Sequence, residues 1–331
     1  MKIPGGLASP VRLTCATSRI SSLLLRSATP LALLFIGACQ LPGSHPGDPK
    51  AAEYPAGFRT VVDPAPAGTQ SESPESAPPI LIRASSGLSD ENARAAAARA
   101  RRAYIRVHRA LALPANPLSS KAPPSNSSNS PADQAQPFRL VLYATAAEYD
   151  RHARRQSGLL PQSRSRYDSR TRSLHLPAAA DPADWRHEWT HAILFDRRGD
   201  LPFWLHEGLA LLLEETEDLT RAARLPRRIG ALRERVIRHV QGRGLADLLQ
   251  ERPPGALAGP TAAWLCAYLS EQGSPGDPRQ PGSDLATGLR GALRTGEFAW
   301  RELFPAGLTP ETPEGRRKLR ADFLVWLRRA N

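Results

Sequence analysis

Cysteine is nearly absent from this chain, with three residues in 331. Cys15 and Cys39 fall near the start, and Cys266 stands alone in the remainder. If the first 38 residues are removed and Cys39 is acylated, no disulfide can form, and packing must supply stability. Cys266 lies among Ala262, Trp264, Leu265 and Leu269, the setting of a buried small hydrophobe. Lysine is almost as scarce: it occurs only at positions 2, 50, 121 and 318, so 40 of the 44 basic residues are arginine. The arginines are scattered through alanine- and proline-rich sequence, without an aromatic-interleaved basic motif. The net charge of +12 therefore does not mark a nucleic-acid surface, and no nucleic-acid partner is expected. Attraction to anionic lipid or cell-wall polymer stays open. Long apolar runs are also missing. The stretch Leu31–Ile36 is far too short to cross a bilayer, which takes about 20 residues.

That stretch has another meaning in its context. Lys2, Arg12, Arg19 and Arg26 make a basic leader without an acid, and Ile36-Gly37-Ala38 places small residues before Cys39. The pattern reads as a secretory signal over residues 1–38. Its end resembles the lipobox of bacterial lipoproteins, which implies a lipid on Cys39 as membrane anchor. Gln40 after the cysteine implies the periplasmic face of the outer membrane. An ordinary signal peptide with a coincidental cysteine is the alternative. Residues 39–79, rich in Pro, Ser and Gly, read as a disordered tether. Residues 80–331 read as the folded domain, interrupted at 114–137 by a second low-complexity stretch expected to be a disordered loop.

Within that domain Ile80–Arg83, Phe138–Tyr143 and Arg172–Leu176 read as strands, and most of the rest as helix. Ser89 starts a helix whose apolar stripe is Ala97, Ala100, Tyr104, Val107 and Leu111, with Arg99, Arg102, Arg106 and Arg109 on a solvated face. Thr145 and Glu148 form a capping box. Leu319, Phe323, Trp326 and Leu327 share one side of a last helix.

The chemistry is concentrated in His187-Glu188-Trp189-Thr190-His191. Two histidines four apart lie on one helical face and can converge on one ion. The glutamate after the first lies beside the ion's open position, where it can take a proton from water. Asp181, Pro182 and Asp184 start this helix, and it should stop near Gly199. A second helix carrying Phe203–Ala210 follows so closely that the two must pack together. Glu207 is then the third ligand, and Gly208 suggests a close backbone approach. A histidine third ligand at position 197 is excluded by Arg197. His206 is partly exposed or supports the site from outside the ligand set. Glu214 returns to the face of Glu207 and either orients a ligand histidine or is a solvated acid. Tyr268 is either an oxyanion donor or a core aromatic. Trp189, Trp204 and Trp264 read as packing around the site.

These two motifs, His187-Glu188-x-x-His191 and Trp204-Leu205-x-Glu207-Gly208-x-Ala210, resemble the gluzincin branch of zinc metallopeptidases, above all bacterial peptidase MA-like domains. The resemblance implies an α+β, mostly helical, zincin-like fold: a small N-terminal sheet, the metal helix and a C-terminal helical subdomain. It implies one Zn²⁺ held by His187, His191 and Glu207, Glu188 as general base, and hydrolysis of a peptide or protein substrate. It also implies an edge strand above the metal helix that pairs with substrate, for which Arg172–Leu176 is the candidate. The alternatives are a non-catalytic zinc-binding scaffold lipoprotein of the cell envelope and an amidase acting on cell-wall peptides.

Overall fold

The computed structural model describes residues 57–61, 79–111, 137–157, 164–198, 201–215, 219, 225–250, 255–271 and 310–330, with single positions between 285 and 308. The leader, Cys39 and the loop at 114–137 (Pro137 apart) lie outside the described residues.

Five strands form one sheet in the order β1-β2-β3-β5-β4. They are β1 (Phe58–Val61), β2 (Ile80–Ser85), β3 (Phe138–Tyr143), β4 (Arg166–Asp168) and β5 (Ser173–Pro177). The three central strands are parallel, and both edge strands run antiparallel to their neighbours. Strand alternation then sorts side chains by face. Ile82, Leu140, Leu142, Leu174 and Leu176 join the main core, while Val141 and Tyr143 pack on the opposite side with Tyr149 and Ala153.

Strand β1 corrects the reading of residues 39–79 as a featureless tether. Phe58-Arg59-Thr60-Val61 has the aromatic and β-branched composition that suits a pleated edge. Val61 enters the main core beside Ile82, and Phe58 packs edge-on against Tyr143 on the other face. Ordered structure therefore begins before Ile80.

Helix α1 (Asp90–Ala110) is capped by Ser89, whose hydroxyl accepts from the Asn92 N–H. Its stripe is buried from Ala93 to Leu111, dominated by alanine, so the helix lies close to its neighbours. Arg99 is not solvated like Arg102, Arg106 and Arg109; it donates to the Ala178 carbonyl beyond β5. Helix α2 (Ala146–Ser157) starts as expected at Thr145, although the Glu148 carboxylate reaches back to the Ala144 N–H rather than to Thr145. It packs against β3 and β5 on the second face.

The remaining helices among the described residues are α3 (Pro182–Arg197), α4 (Phe203–Leu213), α5 (Arg227–Gly230), α6 (Arg233–Gln241), α7 (Gly244–Leu249), α8 (Ala258–Glu271) and α9 (Pro313–Arg329). Helix α3 packs against α1 on one side and α4 on another, and α4 packs most extensively against α8. The result is a mixed α/β, mostly helical fold with one five-stranded sheet. No helix among the described residues is long and apolar enough to cross a membrane.

Candidate metal centre

Helix α3 begins on a reciprocal capping box: the Asp181 carboxylate accepts from the Ala183 N–H at 2.8 Å, and the Asp184 carboxylate accepts from the Asp181 N–H at 3.3 Å. Pro182 at the first position needs no partner for the N–H it lacks. The helix ends at Arg198, whose N–H reaches the Leu194 carbonyl. Trp189 wedges edge-on between Tyr104 and Phe138, which fixes the helix against α1 and the sheet. Trp204 and Trp264 are likewise buried in the core.

With the helix so held, His187 and His191 converge: their Nε2 atoms lie 3.2 Å apart. Glu207 arrives from α4, its Oε2 3.6 Å from His191 Nε2. One ligand atom from each of the three lies within 4.8 Å of the others. All three residues are buried. Neither oxygen of the fully buried Glu207 carboxylate has a hydrogen-bond partner among the described residues. A buried, unsatisfied carboxylate beside two convergent ring nitrogens is costly unless a cation joins them. Two nitrogens at zinc-bonding distance from one tetrahedral ion would sit about 3.3 Å apart, close to the separation found. The donor set of two imidazoles and a carboxylate therefore fits a divalent ion of the zinc type.

The environment polarises the two glutamates oppositely. Burial pushes Glu188 above the usual carboxylate range, with His187, His191 and the Ser165 hydroxyl opposing it. Burial also acts to raise Glu207, but the close approach of His191 Nε2 and the charges of His187, His191 and Arg228 outweigh it and hold the carboxyl below its ordinary value.

Glu214, the residue closing α4, is brought to the site. It is 2 % exposed, and its Oε1 accepts from His187 Nδ1 at 3.0 Å. With the proton on Nδ1, His187 presents the Nε2 lone pair toward His191 and Glu207. The same oxygen is paired with Arg228 of α5. The solvated-acid reading of Glu214 is thereby overturned. His206 is not partly exposed. It is buried and stacks on Phe195 at 4.4 Å between ring centroids, because α4 is enclosed along its whole length.

Tyr268 is not brought to the metal group. It packs against Phe323 and Trp326 of α9, at 5.4 and 5.6 Å between centroids, and burial pushes its phenol up to about 12. On α8 it lies half a turn round from Gly259, Ala262 and Cys266, the residues that face α4. Gly208 also has a different partner from the one expected. A Cβ there would meet Cys266 Sγ at 2.5 Å and the Ala262 carbonyl at 2.6 Å, so the close approach is to α8, not to the metal helix. Gly259 of α8 in turn leaves room for the Glu207 side chain, which a Cβ would meet at 3.3 Å.

The sheet edge near α3 is β4, not Arg172–Leu176. Residues 173–176 belong to the inner strand β5, paired on both sides, and Arg172 lies in the turn before it. Strand β4 escaped sequence reading because it is three residues long and two of them are charged. Ser165, just before it, donates to Glu188 Oε1 at 2.7 Å. Neither Ser165 nor Arg228 carries a sequence signal, since each acts through a partner far away in the chain. Compared with known proteins, the chain matches no family model and no curated protein.

Proposed function

We propose that the chain is a zinc-dependent peptidase of the gluzincin type, within a zincin-like fold, and that a lipid on Cys39 holds it at the cell envelope. The observation that carries the reading is the orphaned Glu207 carboxylate facing two convergent imidazoles, with Glu188 on the same helix. His187, His191 and Glu207 would hold the ion, and Glu214 would fix the tautomer of His187. A zinc ion bound there supplies a Lewis acid for a carbonyl and a nucleophilic water near neutral pH. Glu188 is the group suited to proton transfer: it is fully buried, anchored at one oxygen, and raised by that burial above the usual carboxylate range, which makes it a stronger base. It would take the proton of the attacking water and deliver it to the leaving nitrogen. The outer edge of β4, beside α3, offers backbone groups for pairing with an extended peptide.

Metal analysis of the purified chain, with hydrolysis of a mixed peptide library, tests the reading. One zinc per chain and cleavage are expected. E188Q should retain zinc and lose activity by about a hundredfold or more. Zinc without cleavage in the wild type would favour the scaffold alternative, and cleavage unchanged in E188Q would remove the proposed mechanism. The mass of membrane-extracted protein tests the anchor: an intact leader would rule it out.

A further inference from the structure

The carboxylate of Glu188 is asymmetric. Oε1 accepts from the Ser165 hydroxyl at 2.7 Å, whereas Oε2 is buried and has no hydrogen-bond partner among the described residues. Both residues are buried, Ser165 at 4 % and Glu188 at 0 % exposure. A carboxylate buried with one oxygen satisfied and the other bare is an unfavourable arrangement unless something uses the bare oxygen.

The position of Ser165 follows from the sheet. Tyr167 of β4 pairs with Leu174, whose side chain points into the core on the α3 side, so Tyr167 points there too. Ser165, two residues earlier, falls on the same side by strand alternation and meets α3 at Glu188. Arg166, between them, points to the other face with His175. A single hydroxyl thus ties the terminal strand of the sheet to the residue between the two histidines.

We propose that Ser165 is a positioning residue for Glu188: its hydroxyl occupies Oε1, stops the carboxylate turning, and leaves Oε2 as the atom that exchanges the proton. The proposal rests on the peptidase reading given above. Ser165 keeps its own proton throughout; the proton that moves goes from water to Oε2 and from Oε2 to the leaving nitrogen. Because β4 is also the strand whose outer edge would pair with a peptide, base and substrate are referenced to one element. Loss of the hydroxyl then misplaces the base without removing a substrate contact, and the cost falls on kcat rather than on KM.

The test compares wild type, S165A and S165T as full chains loaded with zinc, and again with cobalt. Two readouts are taken: peptide hydrolysis, and the affinity for acetohydroxamate followed by the cobalt absorption spectrum. A hydroxamate chelates the ion and gives its proton to a neighbouring base, so it reports on Glu188 without turnover. Expected for S165A are a kcat lower by about 10- to 100-fold, a fraction of the loss of the base itself, with KM within about twofold. The hydroxamate Kd should rise about tenfold. Metal content should be unchanged, and S165T should restore both readouts. An S165A protein equal to wild type in both readouts overturns the proposal, as does a folded, metal-loaded S165T that restores neither. A wild type that hydrolyses no peptide, with a hydroxamate affinity that still follows the hydroxyl, sinks the peptidase reading and leaves the positioning role standing. A drop in melting temperature alone, with both readouts intact, makes the bond structural and also overturns the proposal.

Discussion

Glu214 sits where a carboxylate is least welcome. It closes α4, at the negative end of the helix dipole, and is almost wholly buried. Two neighbours offset that cost: the Arg228 guanidinium and the His187 Nδ1–H both converge on Oε1. An uncharged replacement of the same shape separates anchoring from tautomer control. In E214Q an amide N–H2 can face His187, which would draw the lone pair to Nδ1 and put the proton on Nε2, where the metal should bind. The zinc dissociation constant, measured by chelator competition, should then rise by about 10- to 100-fold. An unchanged constant would reduce Glu214 to an anchor for Arg228. This residue was half legible from sequence. Its spacing from Glu207 gave the helix face, but only the fold supplies Arg228, which sits on a separate short helix.

At the scale of elements, legibility followed the strength of local signals. Helix α3 was readable end to end because its caps, its proline and its paired histidines are all encoded within a few residues of one another. Strand β4 and the inner position of β5 were not, since strand order depends on partners far apart in the chain and a three-residue strand has no periodicity to detect. The sequence leaves Tyr268 open between oxyanion donor and core aromatic for a related reason: which face of α8 meets α4 is decided by Gly208 and Cys266. The second face of the sheet carries a further consequence of packing. There His175 accepts from, or donates to, the Tyr143 hydroxyl at 2.9 Å, and His152 stacks on it with Arg166 nearby. Burial, then the charges of His152 and Arg166, push His175 down to about 3, against a smaller opposing effect of Asp168. The folded state therefore refuses a proton that the unfolded chain accepts below about pH 6.5. The stability this confers is fully present above that value and is lost as pH falls toward 3. Between pH 7.5 and 5 the wild type should lose about 2 kcal/mol through this group. His152, lowered first by burial and then by Arg166 and Arg155, acts in the same direction. Urea unfolding across that range should accordingly be steeper in pH for the wild type than for H175N. Equal slopes would mean that His175 is protonated in place.

Over the whole molecule, the metal group is the point where separately built parts meet. His187 and His191 come from α3, Glu207 and Glu214 from α4, Arg228 from α5, and Ser165 from the sheet edge. The main hydrophobic core runs continuously through the sheet, α1, α3, α4 and α8, so the fold should not depend on a metal for its existence. It does bury two carboxyl groups, Glu188 and Glu207, completely. Metal binding should therefore add stability to a chain already folded rather than create the fold, unlike a small zinc finger. At zinc a thousandfold above its dissociation constant, mass action contributes about 4 kcal/mol. For a domain of this size, each kcal/mol moves the melting temperature by about 2–4 °C. Removal of metal with a chelator should then lower the melting temperature by about 10 °C while the far-ultraviolet circular dichroism stays that of a helical protein. Re-addition of zinc should restore it. In H191A the chelator should have almost no effect, because the ion has lost a ligand it cannot replace. Equal melting temperatures for the wild type with and without chelator would show that His187, His191 and Glu207 hold nothing, and that their convergence has another cause.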